Sequence, residues 1–282
     1  GRSEGLAVAS FYLFIEGAFS SNADNPFQAD AEGLKSLSLE RLAKGFQVSD
    51  SNPLVGLEGR LQLMHSLGKA IGDKPQYFGE SSPRPGGLWD YLSDNSKRKS
   101  IEAPALLDSL LRGLGSIWPD RLSLSGIPLG DVWMHSLLGN ENSIECLVPF
   151  HKLSQWLSYS MIEPIEEAGC GVTNVNGLTG LAEYRNGGLL VDKGFLSLRD
   201  SRLLKERHAP KSELIIEWRA LTLYSLELIA PKVRELLKKD ENEFPLAKVL
   251  EGGTWRAGRK IAKELRADGT PPIQLQSDGT VF

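Results

Sequence analysis

Apolar residues recur at three- and four-residue intervals along most of this chain, and this periodicity constrains the fold more than any other feature. It is clearest in residues 103–118, where the leucines share one helical face. The same pattern predicts further helices over residues 3–19, 30–46, 53–71, 150–162, 178–188, 212–239 and 254–265. No strand–helix alternation, GxGxxG motif, Walker loop or long repeat occurs, which disfavours doubly wound nucleotide-binding folds. A predominantly α-helical protein is therefore predicted.

Only the end of the chain has an extended pattern. Residues 273–276 and 280–282 flank Asp278-Gly279, a dipeptide that supplies the positive backbone angles of a tight turn. The sequence therefore predicts a short C-terminal β-hairpin.

The 282 residues are sufficient for one large helical catalytic domain, spanning 1–282. The Gly- and Pro-rich stretch 73–87 is a candidate sub-boundary or lid. Gly1 leads directly into an apolar stretch without an initiator Met, so the chain is expected to be the C-terminal part of a longer one.

Composition excludes several function classes. The net charge of -4 gives no basic surface for long nucleic acid. Cys146 and Cys170 lie far apart, and the four histidines lack metal-ligand spacing, so neither a metal site nor a disulfide framework is predicted. No apolar run approaches the roughly 20 residues that a membrane span requires, and a cytoplasmic setting is expected.

The densest cluster of unusual residues is 176–192. Thr179 is a candidate N-cap, which would place Glu183, Tyr184 and Arg185 in the second helical turn. Gly187 and the glycine after it are costly inside a helix, by about 1 kcal/mol each relative to Ala. Close approach by a ligand or a neighbouring segment would offset that cost, and the alternative to a ligand site is a capped helix packed tightly through its glycines.

A second cluster, 149–159, places Lys152, Gln155, Trp156 and Tyr159 on one helical face, beside an apolar stripe that includes Leu157. A lysine among aromatic rings can hold an anionic or polar ligand, and a ring can stack on a planar base. The structural alternative is that Lys152 only extends past a core tryptophan.

A third cluster, 251–260, contains a predicted helix start. A helix start there would present free backbone N–H groups at Gly253 and Thr254. Together with the charges of Arg256 and Arg259, these groups would form a phosphate-binding site. A capped basic surface helix has the same pattern, so both interpretations stay open.

Six stretches that together reach from one end of the chain to the other carry a family resemblance. They are FQVSDSNPLVGLEGR (46–60), VPFHKLSQWLSYS (148–160), GLTGLAEYRNGG (177–188), IEWRALTLYSLE (216–227), EGGTWRAGRKIA (251–262) and SDGTVF (277–282). They resemble the uracil-catabolism protein 4 family, the fourth component of the fungal uracil-degrading pathway. The resemblance implies a role in degrading uracil through a riboside route that ends in urea.

A fainter resemblance covers only the middle of the chain. The order FHKLSQ, LTGLAEYR, IEWRALTLYSLELI is similar to the motifs of the queuosine 5'-phosphate nucleosidase family, which implies a fold akin to helical DNA glycosylases. Lys152 matches that family's substrate-site lysine and Glu183 its catalytic aspartate, although the Glu183 side chain is one methylene longer. Asn176 stands where an acid is usual. Further motif positions are matched by Tyr184, Arg185, Glu217 and Arg219.

These observations predict hydrolysis of a ribosyl N-glycosidic bond, without metal or organic cofactor, in ribosylurea, uridine or their 5'-phosphates. A buried carboxylate stabilises the positive charge that develops on the sugar or activates water, and Glu183 is the candidate. Lys152 is the second catalytic candidate. The candidate substrate-binding residues are Tyr184, Arg185, Trp156, Glu217, Arg219, Phe46 and Gln47.

Two rival functions remain at this point. A uracil phosphoribosyltransferase is one, although the chain lacks the paired-acid phosphate loop of such enzymes. A non-catalytic ligand-binding protein of the same pathway is the other. In each case the expected partner is a nucleoside-like small molecule.

Overall fold

The computed structural model describes residues 3–96, 100–118, 121–140 and 143–276, and these residues are predominantly helical, as the periodicity predicts. The helices are α1 (Ser3–Ile15), α2 (Ala31–Ser36), α3 (Leu39–Gly45), α4 (Leu57–Gly72), α5 (Pro75–Phe78), α6 (Gly87–Ser96), α7 (Ala103–Leu114), α8 (Lys152–Glu167), α9 (Tyr184–Asp192), α10 (Glu213–Leu237), α11 (Leu246–Lys248) and α12 (Arg256–Leu265). A π-helix, Val249–Trp255, joins α11 to α12.

The strands are all two or three residues long. They are β1 (Ser100–Glu102), β2 (Ser123–Leu124), β3 (Ile127–Pro128), β4 (Val132–Met134), β5 (Leu147–Pro149), β6 (Gly171–Thr173), β7 (Arg207–His208) and β8 (Gln274–Leu275). The prediction that only the C-terminal residues are extended is therefore wrong. Strands this short carry no readable alternation of apolar and polar residues.

The described residues form two compact units. Unit 1 consists of residues up to 101 together with 108–130, and unit 2 consists of 102–107 and the residues from 131 onward. The stretch 73–87 lies within unit 1 and contains α5.

In unit 1, the single helix predicted over residues 30–46 is two helices. Asp30 caps α2 by accepting a hydrogen bond from the Gly33 N–H, and Ser38 caps α3 by accepting one from the Arg41 N–H. Leu37, between the helices, has an extended ψ of 125°. Since a capping serine requires non-helical backbone, Ser38 divides a segment whose apolar periodicity continues across the break.

Unit 2 is organised around α10, the longest helix that the structure describes. Its residues contribute to separate core clusters on different sides of the helix, with Ile216 in one cluster, Leu226 in another and Trp218 in a third. Full burial of such a side chain contributes about 1.5–3 kcal/mol. The helix therefore fixes the positions of the segments that pack around it, including α9.

Short strand pairs complete the two units. In unit 1, β2 and β3 form an antiparallel hairpin across Ser125 and Gly126, both with positive φ. In unit 2, β4 pairs antiparallel with β5, and β8 pairs with β7 in parallel. The turn and second strand of the predicted C-terminal hairpin lie outside the described residues.

Within the described ranges, no helix combines the length and the apolar character that crossing a membrane requires.

Candidate active site in unit 2

Lys152 is the first residue of α8, and its side chain is enclosed, with 3% of the residue exposed. Its Nζ lies 5.6 Å from the centre of the Trp156 ring. Burial lowers the pKa of Lys152 to about 8 and Arg219 adds to this lowering, while the negative charges of Glu183 and Asp131 oppose it. The lysine is thus held in an interior that disfavours its charged form.

The Glu183 side chain caps α9. Its carboxylate accepts hydrogen bonds from the backbone N–H groups of Arg185 (2.9 Å) and Asn186 (2.8 Å). Burial raises the pKa of Glu183, and these two hydrogen bonds and the charge of Lys152 offset part of that rise. Glu183 and Lys152 therefore share one interior region and influence each other's charge.

The start of α9 differs from the sequence-based prediction. The predicted cap, Thr179, lies outside the helix and its hydroxyl donates to the Gly180 carbonyl. The helix begins at Tyr184, so Glu183 is the N-cap rather than a residue of the second turn. A glutamate is an unusual N-cap, which explains why the more common threonine was favoured.

The two glycines of α9 pack closely against the rest of unit 2. A Cβ atom on Gly187 would lie 2.5 Å from Thr222 Oγ1 and 2.7 Å from Trp218 Nε1, and one on Gly188 would lie 3.1 Å from a carbon of Pro272. The predicted close approach is confirmed, and neighbouring segments of the chain make it.

Tyr184 and Arg185 follow the carboxylate. The Arg185 guanidinium donates to the Gly269 carbonyl at 2.6 Å and lies 5.3 Å from the centre of the Tyr184 ring. Burial raises the pKa of the Tyr184 hydroxyl, so it stays protonated. Arg185 thus ties the start of α9 to the segment after α12.

Asp131 belongs to the candidate site, although the sequence did not predict it. Its carboxylate receives two hydrogen bonds of 2.8 Å from the Arg219 guanidinium, one from Trp133 Nε1 and one from the backbone N–H of Lys152. Burial alone would raise the pKa of Asp131, but the hydrogen bonds and charge of Arg219, together with the hydrogen bonds from Trp133 and the Lys152 N–H, lower it to about 2. Asp131 is thus a fixed negative charge at the start of α8.

Arg219 connects this charge to the segment before α9. Its Nε donates to the Ala182 carbonyl at 3.1 Å, and its guanidinium carbon lies 4.0 Å from the centre of the Phe150 ring. Arg219 and Asp131 lie 88 positions apart in sequence, so no local pattern could have paired them. The resemblance that identified Arg219 did not include Asp131.

A small cavity borders this group. Glu183, Tyr184, Arg219, Trp218 and Thr222 are among its lining residues, and its volume is about 10 Å³. That volume is at the lower limit of the space that a single water molecule needs.

Glu217 is placed differently from the other matched residues. Its side chain is 51% exposed, and Oε1 lies 3.2 Å from Nε2 of the buried His135. His135 Nδ1 accepts a hydrogen bond from the Leu137 N–H, so the ring proton is on Nε2. Nε2 therefore donates a hydrogen bond to Glu217 Oε1.

Phe46 and Gln47 belong to unit 1. Phe46 packs against the core cluster of that unit, and Gln47 has a left-handed backbone with φ of 54°. The Gln47 carbonyl accepts a hydrogen bond from the Asn52 side chain. The structure thus gives both residues local roles in unit 1.

The predicted helix start at Gly253 and Thr254 is wrong, because both residues lie inside the π-helix that leads into α12. The Thr254 hydroxyl is buried and donates to Asn186 Oδ1 at 2.9 Å. Arg256 is 68% exposed and pairs with Glu251. Arg259 lies 5.2 Å from the centre of the Trp255 ring.

No group of three or more His, Cys, Asp or Glu side chains arranged to hold a metal ion occurs within the described ranges.

Fold and site together define a predominantly helical protein whose second unit brings together a partly buried glutamate, a buried lysine and an Asp–Arg ion pair. The family described as "Protein of unknown function (DUF1688)" matches residues 1–282, and the chain belongs to this family.

Two curated relatives match the whole chain. "Uracil catabolism protein 4" of Lachancea kluyveri is 40% identical over 308 residues, and the chain spans 69% of its length. "Protein urg3" of Schizosaccharomyces pombe is 44% identical over 285 residues, and the chain spans 68% of its length. The predicted resemblance to the uracil-catabolism protein 4 family is confirmed.

Proposed function

We propose that this protein hydrolyses the N-glycosidic bond of a ribosyl compound, such as ribosylurea, uridine or one of their 5'-phosphates, in uracil catabolism. The name of the Lachancea kluyveri relative supports the pathway. The observation that carries the chemistry is the partly buried carboxylate of Glu183, on which the charge of the buried Lys152 acts.

Breaking a ribosyl C–N bond develops positive charge on the sugar ring, and a carboxylate beside the anomeric carbon stabilises that charge. The raised pKa of Glu183 also makes its carboxylate a stronger base than a solvated one, which suits proton removal from water. Glu183 thus serves as the base in this proposal.

The departing nitrogen needs a proton or a hydrogen-bond donor. With a pKa of about 8, Lys152 is still mostly protonated at pH 7 and is a stronger acid than an ordinary lysine. The ring centre of Trp156 lies 5.6 Å from Lys152 Nζ, and the residue is 47% exposed. Trp156 is therefore the proposed stacking surface for a planar leaving group.

A ribosyl group is much larger than the cavity of about 10 Å³. The proposal therefore includes movement of lining side chains such as Tyr184 when substrate binds. Arg259, whose charge lowers the pKa of Tyr184, is the proposed contact for a 5'-phosphate. We also propose that the helices are arranged as in the helical DNA glycosylases.

The deciding experiment measures release of base or urea from a panel of ribosyl compounds by the 282-residue chain and its Glu183→Gln variant. We expect the substitution to lower kcat by about 100-fold or more, since it removes the charge and the base together. A glutamine side-chain oxygen can still accept one of the two capping hydrogen bonds, so the fold is expected to persist.

Glu163→Gln is the matched control, because this exposed glutamate of α8 undergoes the same chemical change. It is expected to retain wild-type turnover. Glu183→Gln turnover close to that of wild type would disprove the assignment. Thermal stabilisation by ribosides without any product would support the non-catalytic ligand-binding alternative instead.

A further inference from the structure

Asp131 holds the start of α8 through three hydrogen bonds. Its backbone carbonyl accepts the N–H groups of Phe150 (2.9 Å) and His151 (3.2 Å), and its Oδ2 accepts the N–H of Lys152 (2.9 Å). The first N–H groups of a helix have no partner within the helix, so the groups that accept them fix where it begins. Because Lys152 is the first residue of α8, the position of its backbone depends on Asp131.

The Arg219 guanidinium joins Asp131 to the opposite side of the site. Two of its nitrogens donate to the two carboxylate oxygens of Asp131, each at 2.8 Å, and its Nε donates to the Ala182 carbonyl at 3.1 Å. Ala182 directly precedes Glu183, the cap of α9. One planar and rigid group therefore connects the residue that holds Lys152 with the residue before Glu183.

The surroundings of Arg219 favour a role through these neighbours over direct contact with substrate. Arg219 borders the small cavity, but each of its three guanidinium nitrogens donates a hydrogen bond to the protein. The residue is 4% exposed, and its guanidinium carbon lies 4.0 Å from the centre of the Phe150 ring. The sequence analysis grouped Arg219 with the substrate-binding residues, whereas the geometry directs its donors to the segments that carry Lys152 and Glu183.

We propose that Arg219 is a positioning residue, which sets the separation between Lys152 and Glu183 by binding the two segments that carry them. This inference rests on the proposed hydrolysis, in which Lys152 protonates the departing nitrogen and Glu183 is the base. Both groups act at one sugar carbon, and a displacement of about 1 Å between reacting groups lowers a rate by about 100-fold. Bidentate pairing fixes the distance and the angle between a guanidinium and a carboxylate, which suits this role.

Arg266 provides a matched arrangement elsewhere in unit 2. Its guanidinium nitrogens donate to both carboxylate oxygens of Asp192, at 2.8 and 2.6 Å, and its Nε donates to the Thr270 carbonyl. Asp192 is the last residue of α9. The Arg266 side chain is 25% exposed, against 5% for Arg219. The same substitution in the two arginines therefore breaks the same kinds of bond, but only Arg219 is connected to Lys152.

Arg219→Lys tests the proposal, because it keeps the charge and removes the planar fork that reaches Asp131 and Ala182 together. We expect kcat for hydrolysis of the riboside to fall about tenfold or more while KM changes by less than about threefold, since the substrate keeps its own contacts. Arg266→Lys is expected to keep kcat within about twofold of wild type. A tenfold rise in KM with unchanged kcat in Arg219→Lys would overturn the proposal in favour of direct substrate binding.

A double-variant cycle separates positioning from general damage to the fold. Lys152→Met removes one of the two groups whose separation Arg219 is proposed to set. Adding Arg219→Lys to Lys152→Met should therefore lower kcat by less than about threefold, in single-turnover assays with excess enzyme. An equal reduction of kcat by Arg219→Lys in the wild-type and Lys152→Met backgrounds would overturn the proposal, because independent effects multiply.

Asp131→Glu tests the other end of the connection and serves if Arg219→Lys does not fold. It keeps the carboxylate charge but adds one methylene between that charge and the backbone that holds α8. We expect kcat to fall about tenfold, with KM again changed by less than about threefold. Asp192→Glu is the matched control and is expected to keep kcat within about twofold of wild type.

The outcomes distinguish this inference from the proposed function. Hydrolysis that is lost in Glu183→Gln but unaffected in Arg219→Lys and Asp131→Glu would overturn the positioning role and leave the hydrolase standing. A kcat lowered equally in Arg219→Lys and Arg266→Lys, at an equal loss in urea midpoint, would also overturn the positioning role. No hydrolysis by wild type would overturn both.

Discussion

Two groups of charged residues in unit 2 have similar compositions and opposite surroundings. The enclosed cluster consists of Asp131, Lys152, Glu183 and Arg219. The surface cluster consists of Glu251, Arg256, Lys260 and Glu264. In the first, Lys152 and Arg219 are buried, Asp131 and Glu183 are partly buried, and the two carboxylates accept hydrogen bonds from backbone and side chains. The second forms pairs that are more than half exposed. Desolvation therefore acts on the pKa values of Asp131, Lys152 and Glu183 in the enclosed cluster, whereas solvent screens the ion pairs of the surface cluster.

The largest expected effect comes from breaking the enclosed pair. Asp131→Asn leaves the Arg219 charge buried without its partner, and we expect the free energy of unfolding to fall by about 3–5 kcal/mol. Urea unfolding followed by circular dichroism measures this. The double variant with Arg219→Met should recover part of the loss, because it also removes the buried charge that Asp131 neutralises in the wild type. A double variant less stable than Asp131→Asn would contradict this account.

The next effect is a dependence of the free energy of unfolding on pH, which arises from Lys152. The folded state, with the pKa of Lys152 lowered to about 8, loses the proton before the unfolded chain does near pH 10.5. The unfolded state therefore binds more protons in this interval, and the free energy of unfolding should rise between about pH 8 and 10.5 relative to Lys152→Met, by about 3 kcal/mol.

Lys205→Met is the control for this comparison, because Lys205 is exposed. The difference in free energy of unfolding between Lys205→Met and wild type should stay constant across the same pH interval. A flat difference for Lys152→Met as well would mean that the lysine is not desolvated in the folded protein.

A smaller effect distinguishes the observed cap of α9 from the predicted one. Glu183→Ala removes both capping hydrogen bonds and should lower the free energy of unfolding by about 0.5–2 kcal/mol. Thr179→Ala, at an exposed position outside the helix, should change it by no more than about 0.5 kcal/mol. Chemical unfolding of both variants at pH 7 measures the difference, and the reverse order would restore Thr179 as the cap.

The smallest effect is expected in the surface cluster. Glu251→Gln breaks an exposed pair with Arg256, in which the two side chains are 66% and 68% exposed. The free energy of unfolding should change by no more than about 0.5 kcal/mol, and added salt should reduce even that. A change as large as that of Asp131→Asn would remove the distinction between the two clusters.

Sequence periodicity predicted the positions of most long helices but not where each helix begins and ends. It predicted α7, α8, α10 and α12 in the correct regions, because each has an apolar face to bury. It missed the break at Ser38 and the later start of α9, since both depend on which side chain caps which backbone N–H. A cap is a local hydrogen bond, and several nearby residues are chemically able to make it.

Sequence periodicity did not correctly predict which side chains of α8 are buried. The predicted apolar stripe includes Leu157, which is 40% exposed, whereas Lys152 and Gln155 are buried. Gln155 accepts the Thr179 N–H, and Tyr159 donates to the Thr179 carbonyl. Because the segment before α9 supplies these partners, the polar face of the helix is turned inward.

The amino-acid sequence by itself determined the helical class, the family and the two residues, Lys152 and Glu183, on which the proposed chemistry depends. Only the tertiary structure decided that these two share one interior region and that Asp131 and Arg219 accompany them. The physical reason is that helical periodicity is a local property, whereas desolvation and charge pairing arise between segments that folding brings together from distant parts of the chain.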